Sequence, residues 1–187
     1  MAIPMHVFRE YDIRGLVATE LTPQFAEQLG RGFGQYLLEK NPGAQSIVLG
    51  RDHRLSSEGL AQAFSRGARS HGLDVISIGV VATPMTYFAA NVLPVDGLCM
   101  ITGSHNPPEY NGFKVGIGKS TLAGPEVQEL KERVAQGKAG KREERETEHA
   151  AREHPLPLRQ LARARRWRVW CWRVRGAKTE HRRARVT

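Results

Sequence analysis

Apolar and polar positions repeat with two different periods along the first 140 residues. Short runs rich in β-branched and other apolar residues predict strands, and the segments between them repeat apolar residues every three or four positions, which predicts helices. The predicted strands are 46–49, 74–78, 97–102 and 112–117, and the predicted helices are 22–39, 58–70, 83–92 and 125–135. This alternation of strands and helices predicts an α/β domain.

Each predicted helix begins at a residue that favours a helix N-terminus. Thr22 can cap the first helix, and either Ser56 or Ser57 is predicted to cap the second. Pro84 and Pro125 stand at the first turns of the third and fourth helices, where proline is favoured. These signals are independent of the apolar period and support the same element boundaries.

The pattern ends near residue 140. Residues 141–187 contain no Asp, Ile, Phe, Asn or Ser, but they hold all three tryptophans and thirteen arginines. Residues 1–140 carry 13 Lys and Arg against 13 Asp and Glu, whereas residues 141–187 carry 15 against 6. The net charge of +9 therefore belongs to the second segment. We predict a folded domain over 1–140 and a disordered basic tail over 141–187.

The cellular compartment is indicated by features that the sequence lacks. Cys99 and Cys171 are the only two cysteines and form no C-x-x-C pair, so a reducing compartment is favoured. The N-terminal residues carry charges and have no apolar run of the kind found in signal peptides. No segment approaches the roughly 18 apolar residues that a membrane-spanning helix needs. We expect a cytoplasmic protein without a membrane span.

A polar loop follows the third predicted strand, in residues 101–114, which read ITGSHNPPEYNGFK. Gly103 permits a tight turn, and Pro107 and Pro108 each fix one φ angle, so Ser104 loses little entropy when it is held in place. Loops beyond the carboxyl ends of strands are common anion sites in α/β proteins. The loop suits a serine that carries a phosphoryl group, although a capped turn with a satisfied histidine also explains the tetrapeptide S-H-N-P.

Two further motifs accompany the loop: FREYDIRG at 8–15 and GRDHRLSS at 50–57. In this order and spacing, the three stretches resemble the N-terminal domain of the α-D-phosphohexomutases, the phosphomannomutase and phosphoglucomutase family, over about residues 7–135. The resemblance implies a three-layer α/β/α domain with a mixed sheet. It also implies an isomerase that interconverts 1-phospho and 6-phospho hexoses through a phosphorylated serine.

Several roles follow from this resemblance, residue by residue. Ser104 matches the phosphoryl carrier and, through its phosphate, one ligand of a Mg²⁺ ion. Lys114 matches the lysine that manages the proton of the attacking or leaving hydroxyl, and Arg14 matches the arginine that reaches the transferring phosphate. The resemblance also places His105 among the catalytic residues and Tyr11 and Asn106 among those that bind the hexose phosphate substrate.

Three charged residues of the second motif are open to two interpretations. Arg51, Asp52 and Arg54 follow a predicted strand, where they could bind an anion. They could equally cap the helix that follows, and we favour this structural role.

The sequence lacks other parts that the resemblance implies. The family completes its Mg²⁺ site with aspartates of a D-G-D-x-D-R loop and recognises sugar and phosphate with further domains. The aspartates here are Asp12, Asp52, Asp74 and Asp96, and none belongs to such a loop. We interpret the sequence as a truncated phosphohexomutase without mutase turnover of its own, unless a separate chain supplies the missing domains.

The basic tail has two interpretations. Residues 163–175 interleave arginine and tryptophan, which suits binding to nucleic acid or to an anionic membrane surface. Alternatively, a G+C-rich gene read out of frame would yield the same bias. Because the break coincides with the end of the resemblance, we favour the second interpretation. The alternative function is a polyanion-binding protein that uses this tail.

Overall fold

The computed structural model describes residues 3–137, so the predicted tail and the predicted boundary at residue 140 lie outside the described residues. A short 3-10 turn, Met5–Val7, precedes the sheet. The strands are β1 Ile13–Leu16, β2 Ser46–Arg51, β3 Asp74–Val80, β4 Gly97–Ile101, β5 Tyr110–Ile117 and β6 Ser120–Thr121. The helices are α1 Pro23–Lys40, α2 Leu55–Arg69, α3 Thr83–Val92 and α4 Pro125–Gln136.

The strands of residues 3–137 form one mixed sheet in the order β1-β5-β4-β2-β3, with β6 paired to β5. Strand β2 runs parallel to β3 and β4, whereas β5 runs antiparallel to β1, β4 and β6. The carboxyl ends of β2, β3 and β4 therefore lie at the same edge of the sheet. The predicted mixed sheet is confirmed.

Helices cover both faces of the sheet. Ile47 and Leu49 of β2 belong to the larger core, which also contains the apolar faces of α1, α2 and α4. Val48, between them, belongs to a second core with two alanines of α3. Strand β4 repeats the pattern, since Cys99 faces the larger core and Leu98 the smaller one. The two-residue period of the strands thus separates the cores, and the predicted three-layer α/β/α arrangement is confirmed.

Two helix starts show how the predicted caps compare with the structure. The predicted cap of α1 is confirmed, because the Phe25 N–H donates to Thr22 Oγ1 at 3.2 Å. The predicted serine cap of α2 is wrong, because the helix begins at Leu55 and has no side-chain cap. The Ser57 hydroxyl instead donates to Asp52 Oδ1 at 2.5 Å. Because α2 begins at Leu55, Ser57 lies within its first turn and not at the N-cap position.

Two strands lie outside the predicted set. Strand β1 has four residues, of which Ile13 and Leu16 are the only large apolar ones, so its pattern is too short to stand out. Strand β6 has two exposed residues. Within residues 3–137, no helix is both long and apolar enough to cross a membrane.

Helices α1 and α2 approach closely through glycines. A Cβ atom at Gly67 of α2 would lie 2.1 Å from the Glu27 carbonyl oxygen. A Cβ atom at Gly30 of α1 would lie 2.2 Å from the Phe64 carbonyl oxygen. Both distances are far below van der Waals contact, so the two backbones touch where a side chain would separate them. This contact fixes α2 against the core.

The first prediction concerns this contact. Gly67→Ala should lower the free energy of unfolding by about 2 kcal/mol, because the helices must separate to admit the methyl group. The control is Gly59→Ala in the same helix, where a Cβ would meet nothing within 4 Å. It should stabilise by about 0.5 to 1 kcal/mol through helix propensity. Denaturant unfolding measures both, and equal shifts of the midpoints would contradict the close-packing argument.

Candidate functional site

A cleft of about 920 Å³ opens at the carboxyl ends of the parallel strands. Residues that follow β2, β3 and β4 line it, as ligand sites of open α/β sheets usually do. The first residues of α2 and α3 also line the cleft, and neither helix has a side-chain cap. The positive ends of two helix dipoles therefore face this space, which favours an anion. The lining includes residues 52–56, residues 80–83, Thr102, Ser104, Asn106 and Pro108.

Ser104 has an unusual backbone conformation at the cleft. Its φ is 54°, and it is the only non-glycine residue with positive φ among residues 3–137. Such a conformation costs about 1 kcal/mol or more, so surrounding contacts must impose it. The Ser104 N–H donates to Thr102 Oγ1 at 2.9 Å, and the Ser104 Oγ lies 3.3 Å from His105 Nδ1. The residue is exposed, so its hydroxyl is accessible from the cleft.

The loop from Ser104 to Tyr110 is held by residues of the second motif. The Gly103 N–H donates to Asp52 Oδ2 at 3.0 Å. The Arg54 guanidinium donates to backbone carbonyl oxygens within the loop, at 2.6 Å for Asn106 and 2.7 Å for Pro107. Asp52 and Arg54 therefore connect the start of α2 to the serine loop.

A second cluster joins β1, β5 and the serine loop. Arg14 Nη2 donates to Asp12 Oδ2 at 2.6 Å, and Lys114 Nζ donates to the same oxygen at 3.1 Å. Arg14 Nη1 lies 3.5 Å from Asn106 Oδ1. In the sheet register Arg14 pairs with Gly112, two residues before Lys114, so both side chains extend from the same face. Asp12 thus lies between two cations.

The pKa of Asp12 reflects these neighbours. Burial alone would raise the pKa of its carboxyl group, but the hydrogen bonds from Arg14 and Lys114, together with their charges, outweigh this and lower it. Asp12 is therefore ionised at neutral pH and offsets the charges of the two cations.

The structure brings some of the predicted site residues together and separates others. Asp12 accepts hydrogen bonds from both Arg14 and Lys114, and Arg14 also contacts Asn106. Ser104 Oγ lies within hydrogen-bond distance of His105. Within the described part of the chain, no hydrogen bond joins Ser104 to Arg14 or Lys114. The Tyr11 side chain is 67% exposed and makes no hydrogen bond there.

Asp12 is the site residue that sequence reasoning missed. It stands two positions before Arg14 in FREYDIRG. Residues two apart in an extended segment project to the same side, so this spacing was a usable signal.

The residues present do not fit a complete Mg²⁺ site. Residues 3–137 contain no group of three His, Cys, Asp or Glu side chains that could hold a metal ion. Asp52 and Asp12, which lie near the loop, already accept hydrogen bonds from the protein, Asp52 from Gly103 and Asp12 from Arg14. We therefore derive no step through a metal from these residues.

The second prediction concerns Asp12. Asp12→Asn should lower the free energy of unfolding by about 1 to 3 kcal/mol at neutral pH, because it removes a charged acceptor from two cations. The Asp12 pKa is lowered from its ordinary value of 3.8. Its stabilising effect should thus be complete above that value and be lost as the pH falls through the lower folded pKa.

Chemical denaturation of wild type and variant across the acidic range measures this effect. Asp74→Asn is the control, since Asp74 is exposed at the start of β3 and its carboxylate makes no hydrogen bond within residues 3–137. A cost of Asp12→Asn that stays constant down to strongly acidic pH would contradict the prediction.

Comparisons with known proteins cover the region just described. Residues 5–141 match the family model described as phosphoglucomutase/phosphomannomutase, alpha/beta/alpha domain I. The phosphomannomutase/phosphoglucomutase of Pseudomonas aeruginosa PAO1 is 43% identical over 132 residues, which are 71% of this chain and 28% of that protein. The phosphoglucomutase of Neisseria meningitidis serogroup B (strain MC58) is 48% identical over 130 residues, which are 69% and 28%, respectively.

A solved structure gives the same result. The crystal structure of a phosphoglucomutase/phosphomannomutase family protein from Burkholderia thailandensis aligns with a TM-score of 0.69 at 37% identity, covering 74% of this chain and 32% of that one. The chain thus spans less than a third of the length of these relatives. The family resemblance inferred from three motifs is confirmed: the chain belongs to the phosphoglucomutase/phosphomannomutase family.

Proposed function

We propose that this chain provides the phosphoryl-carrying domain of a mutase that acts on hexose phosphates. The observation that carries the proposal is the state of Ser104: an accessible hydroxyl at the cleft, held at a φ of 54° within the T-G-S-H-N-P loop. A backbone conformation that costs free energy is a feature of functional sites when surrounding contacts maintain it. The names of the relatives, which include phosphomannomutase and phosphoglucomutase, support the substrate class.

Phosphoryl transfer requires in-line positioning and neutralisation of charge more than covalent assistance from the protein. In the proposed reaction, Ser104 Oγ carries a phosphoryl group that it gives to one hydroxyl of the hexose phosphate. The second phosphate of the resulting bisphosphate then returns to Ser104. In each transfer one P–O bond forms as another breaks, and the departing oxygen takes up a proton while the attacking hydroxyl loses one.

The neighbouring cations have separate roles in this proposal. Arg14 uses one nitrogen on Asp12 and another on Asn106, which leaves further N–H groups for a phosphate oxygen. Lys114 donates to Asp12 through Nζ and is 25% exposed, so it can hold or release a proton near the reacting hydroxyl.

The other predicted site residues would orient Ser104 or contact the substrate. His105 Nδ1 lies within hydrogen-bond distance of Ser104 Oγ, and this hydrogen bond would orient the hydroxyl. Tyr11 is exposed and Asn106 lines the cleft, so we assign both to substrate contact.

Complete turnover would need groups from outside residues 3–137. We propose that Ser104 phosphate would be one ligand of Mg²⁺ and that carboxylates from elsewhere would supply others. Asp12 and Asp52 are already paired with cations and N–H groups, and residues 3–137 contain no group of three His, Cys, Asp or Glu side chains that could hold the ion. Domains in the same or a separate chain would also supply sugar recognition. The alternative of polyanion binding rests on residues 163–175, which lie outside the described residues, and stays a prediction.

The third prediction tests the carrier. Purified chain incubated with Mg²⁺ and α-glucose 1,6-bisphosphate should gain one phosphoryl group, located by peptide mass spectrometry at Ser104. Ser104→Ala should gain none. Ser120→Ala is the control, since Ser120 is also an exposed serine but belongs to β6. An unlabelled wild type at saturating bisphosphate, or equal labelling of Ser104→Ala, would contradict the proposal.

A further inference from the structure

We infer that Arg54 is the positioning residue that holds Ser104 in its phosphoryl-carrying conformation and does not itself bind phosphate. The consequence for phosphoryl transfer rests on the function proposed above. The consequence for loop structure is independent of that function, so the loop structure and the phosphoryl transfer can be measured separately.

Both terminal nitrogens of Arg54 are used within the protein. Nη1 donates to the carbonyl oxygens of Pro107 at 2.7 Å and Tyr110 at 2.9 Å. Nη2 donates to those of Asn106 at 2.6 Å and Ser104 at 3.4 Å. Nε lies 3.3 Å from Asp52 Oδ2. A guanidinium has five N–H donors, and the four on Nη1 and Nη2 donate to carbonyl oxygens here, so the two terminal nitrogens that would bind a phosphate side by side are already occupied.

The guanidinium also determines the shape of the turn before Ser104. A Cβ at Gly103 would lie 2.3 Å from both Cζ and Nε of Arg54. The planar group therefore lies directly against the Gly103 backbone, and the Arg54 side chain is only 15% exposed. Any residue larger than glycine at this position would displace it.

Asp52 contacts both the start of the loop and the start of α2. Its carboxylate accepts hydrogen bonds from the backbone N–H groups of Gly103 and Arg54 and from the Ser57 hydroxyl. Burial would raise the pKa of Asp52, but these hydrogen bonds outweigh it and lower the pKa. Asp52 therefore stays ionised and balances the charge of Arg54.

These contacts account for the conformation of Ser104. The guanidinium binds carbonyl oxygens at both ends of the segment 104–110, so it closes this segment into one shape. Without it, the carbonyl groups would turn to water and Ser104 could relax to a negative φ, which nearly all non-glycine residues prefer. A lysine cannot substitute, because its ammonium has three donors and no planar fork.

The first experiment measures amide hydrogen exchange in the 187-residue chain without any ligand. Arg54→Gln and Arg54→Lys should both raise exchange in residues 103–110 by about tenfold or more, while amides of β4 and α1 keep their protection. Arg51→Gln is the matched control, since Arg51 lies three residues away and pairs only with Glu58 at 3.3 Å within the described residues. It should leave loop exchange unchanged.

The second experiment measures the kinetics of Ser104 phosphorylation by α-glucose 1,6-bisphosphate with Mg²⁺. Both Arg54 variants should lower the maximal rate by about tenfold or more, with a half-saturating concentration that changes by less than about twofold. Arg14→Gln should instead raise the half-saturating concentration, because Arg14 has N–H groups beyond those used on Asp12 and Asn106 and is proposed to bind the phosphate.

Specific results would overturn the inference. Loop exchange in Arg54→Gln and Arg54→Lys equal to that in Arg51→Gln would exclude a positioning role. If Arg54→Gln unfolds, the exchange pattern of Arg54→Lys is used to test the inference. Loss of amide protection in β4 and α1 of Arg54→Lys, as well as in the loop, would also exclude a local role for Arg54. A raised half-saturating concentration at unchanged maximal rate would make Arg54 a phosphate ligand. A wild-type chain that is never phosphorylated would refute the proposed function, while the exchange result would still decide the role of Arg54.

Discussion

The guanidinium of Arg54 is the constraint on which the candidate site depends. It binds four carbonyl oxygens of the serine loop and an aspartate that in turn holds the start of the loop. Because Arg54 is the residue immediately before α2, the position of the loop follows that of the helix. The helix is fixed by the close glycine contact with α1. The position of Ser104 is therefore linked, through Arg54 and α2, to the packing of the core.

Asp12 holds two cations in place in a second cluster, which joins β1 and β5. Arg14 and Lys114 extend from neighbouring strands on one face of the sheet, where two unpaired cations would repel each other. The carboxylate between them removes this repulsion at the cost of its own burial, which the two hydrogen bonds more than offset. Asn106 links this cluster to the serine loop, since it accepts from Arg14 and donates to the Gly103 carbonyl.

The parts of the fold that could be predicted from sequence are those encoded by local periodicity. The apolar period and Thr22 located α1 to within a residue or two, and the β-branched runs located β2 to β5 with errors only at their ends. The contacts of Arg54 with the serine loop and of Asp12 with Lys114 could not be predicted in this way. These partners lie about 50 and 100 positions away along the chain, so the contacts depend on tertiary structure. The serine cap was wrong for a local reason, because α2 starts at Leu55 and Ser57 lies within its first turn.

The charges near Ser104 are largely paired, with one positive charge in excess. Arg54 is paired with Asp52, and Arg14 and Lys114 share Asp12. A phosphoserine would add a charge of about −1.5 to −2 to this arrangement. The free N–H groups of Arg14 and the uncapped ends of α2 and α3 could offset part of it. Both terminal nitrogens of Arg54 already donate to the loop, so we expect groups outside residues 3–137 to neutralise the rest of the phosphoserine charge. The hydrogen bonds of Arg54 and Asp52 thus fix the serine loop, and the proposed phosphorylation of Ser104 would add a negative charge that calls for further cationic groups.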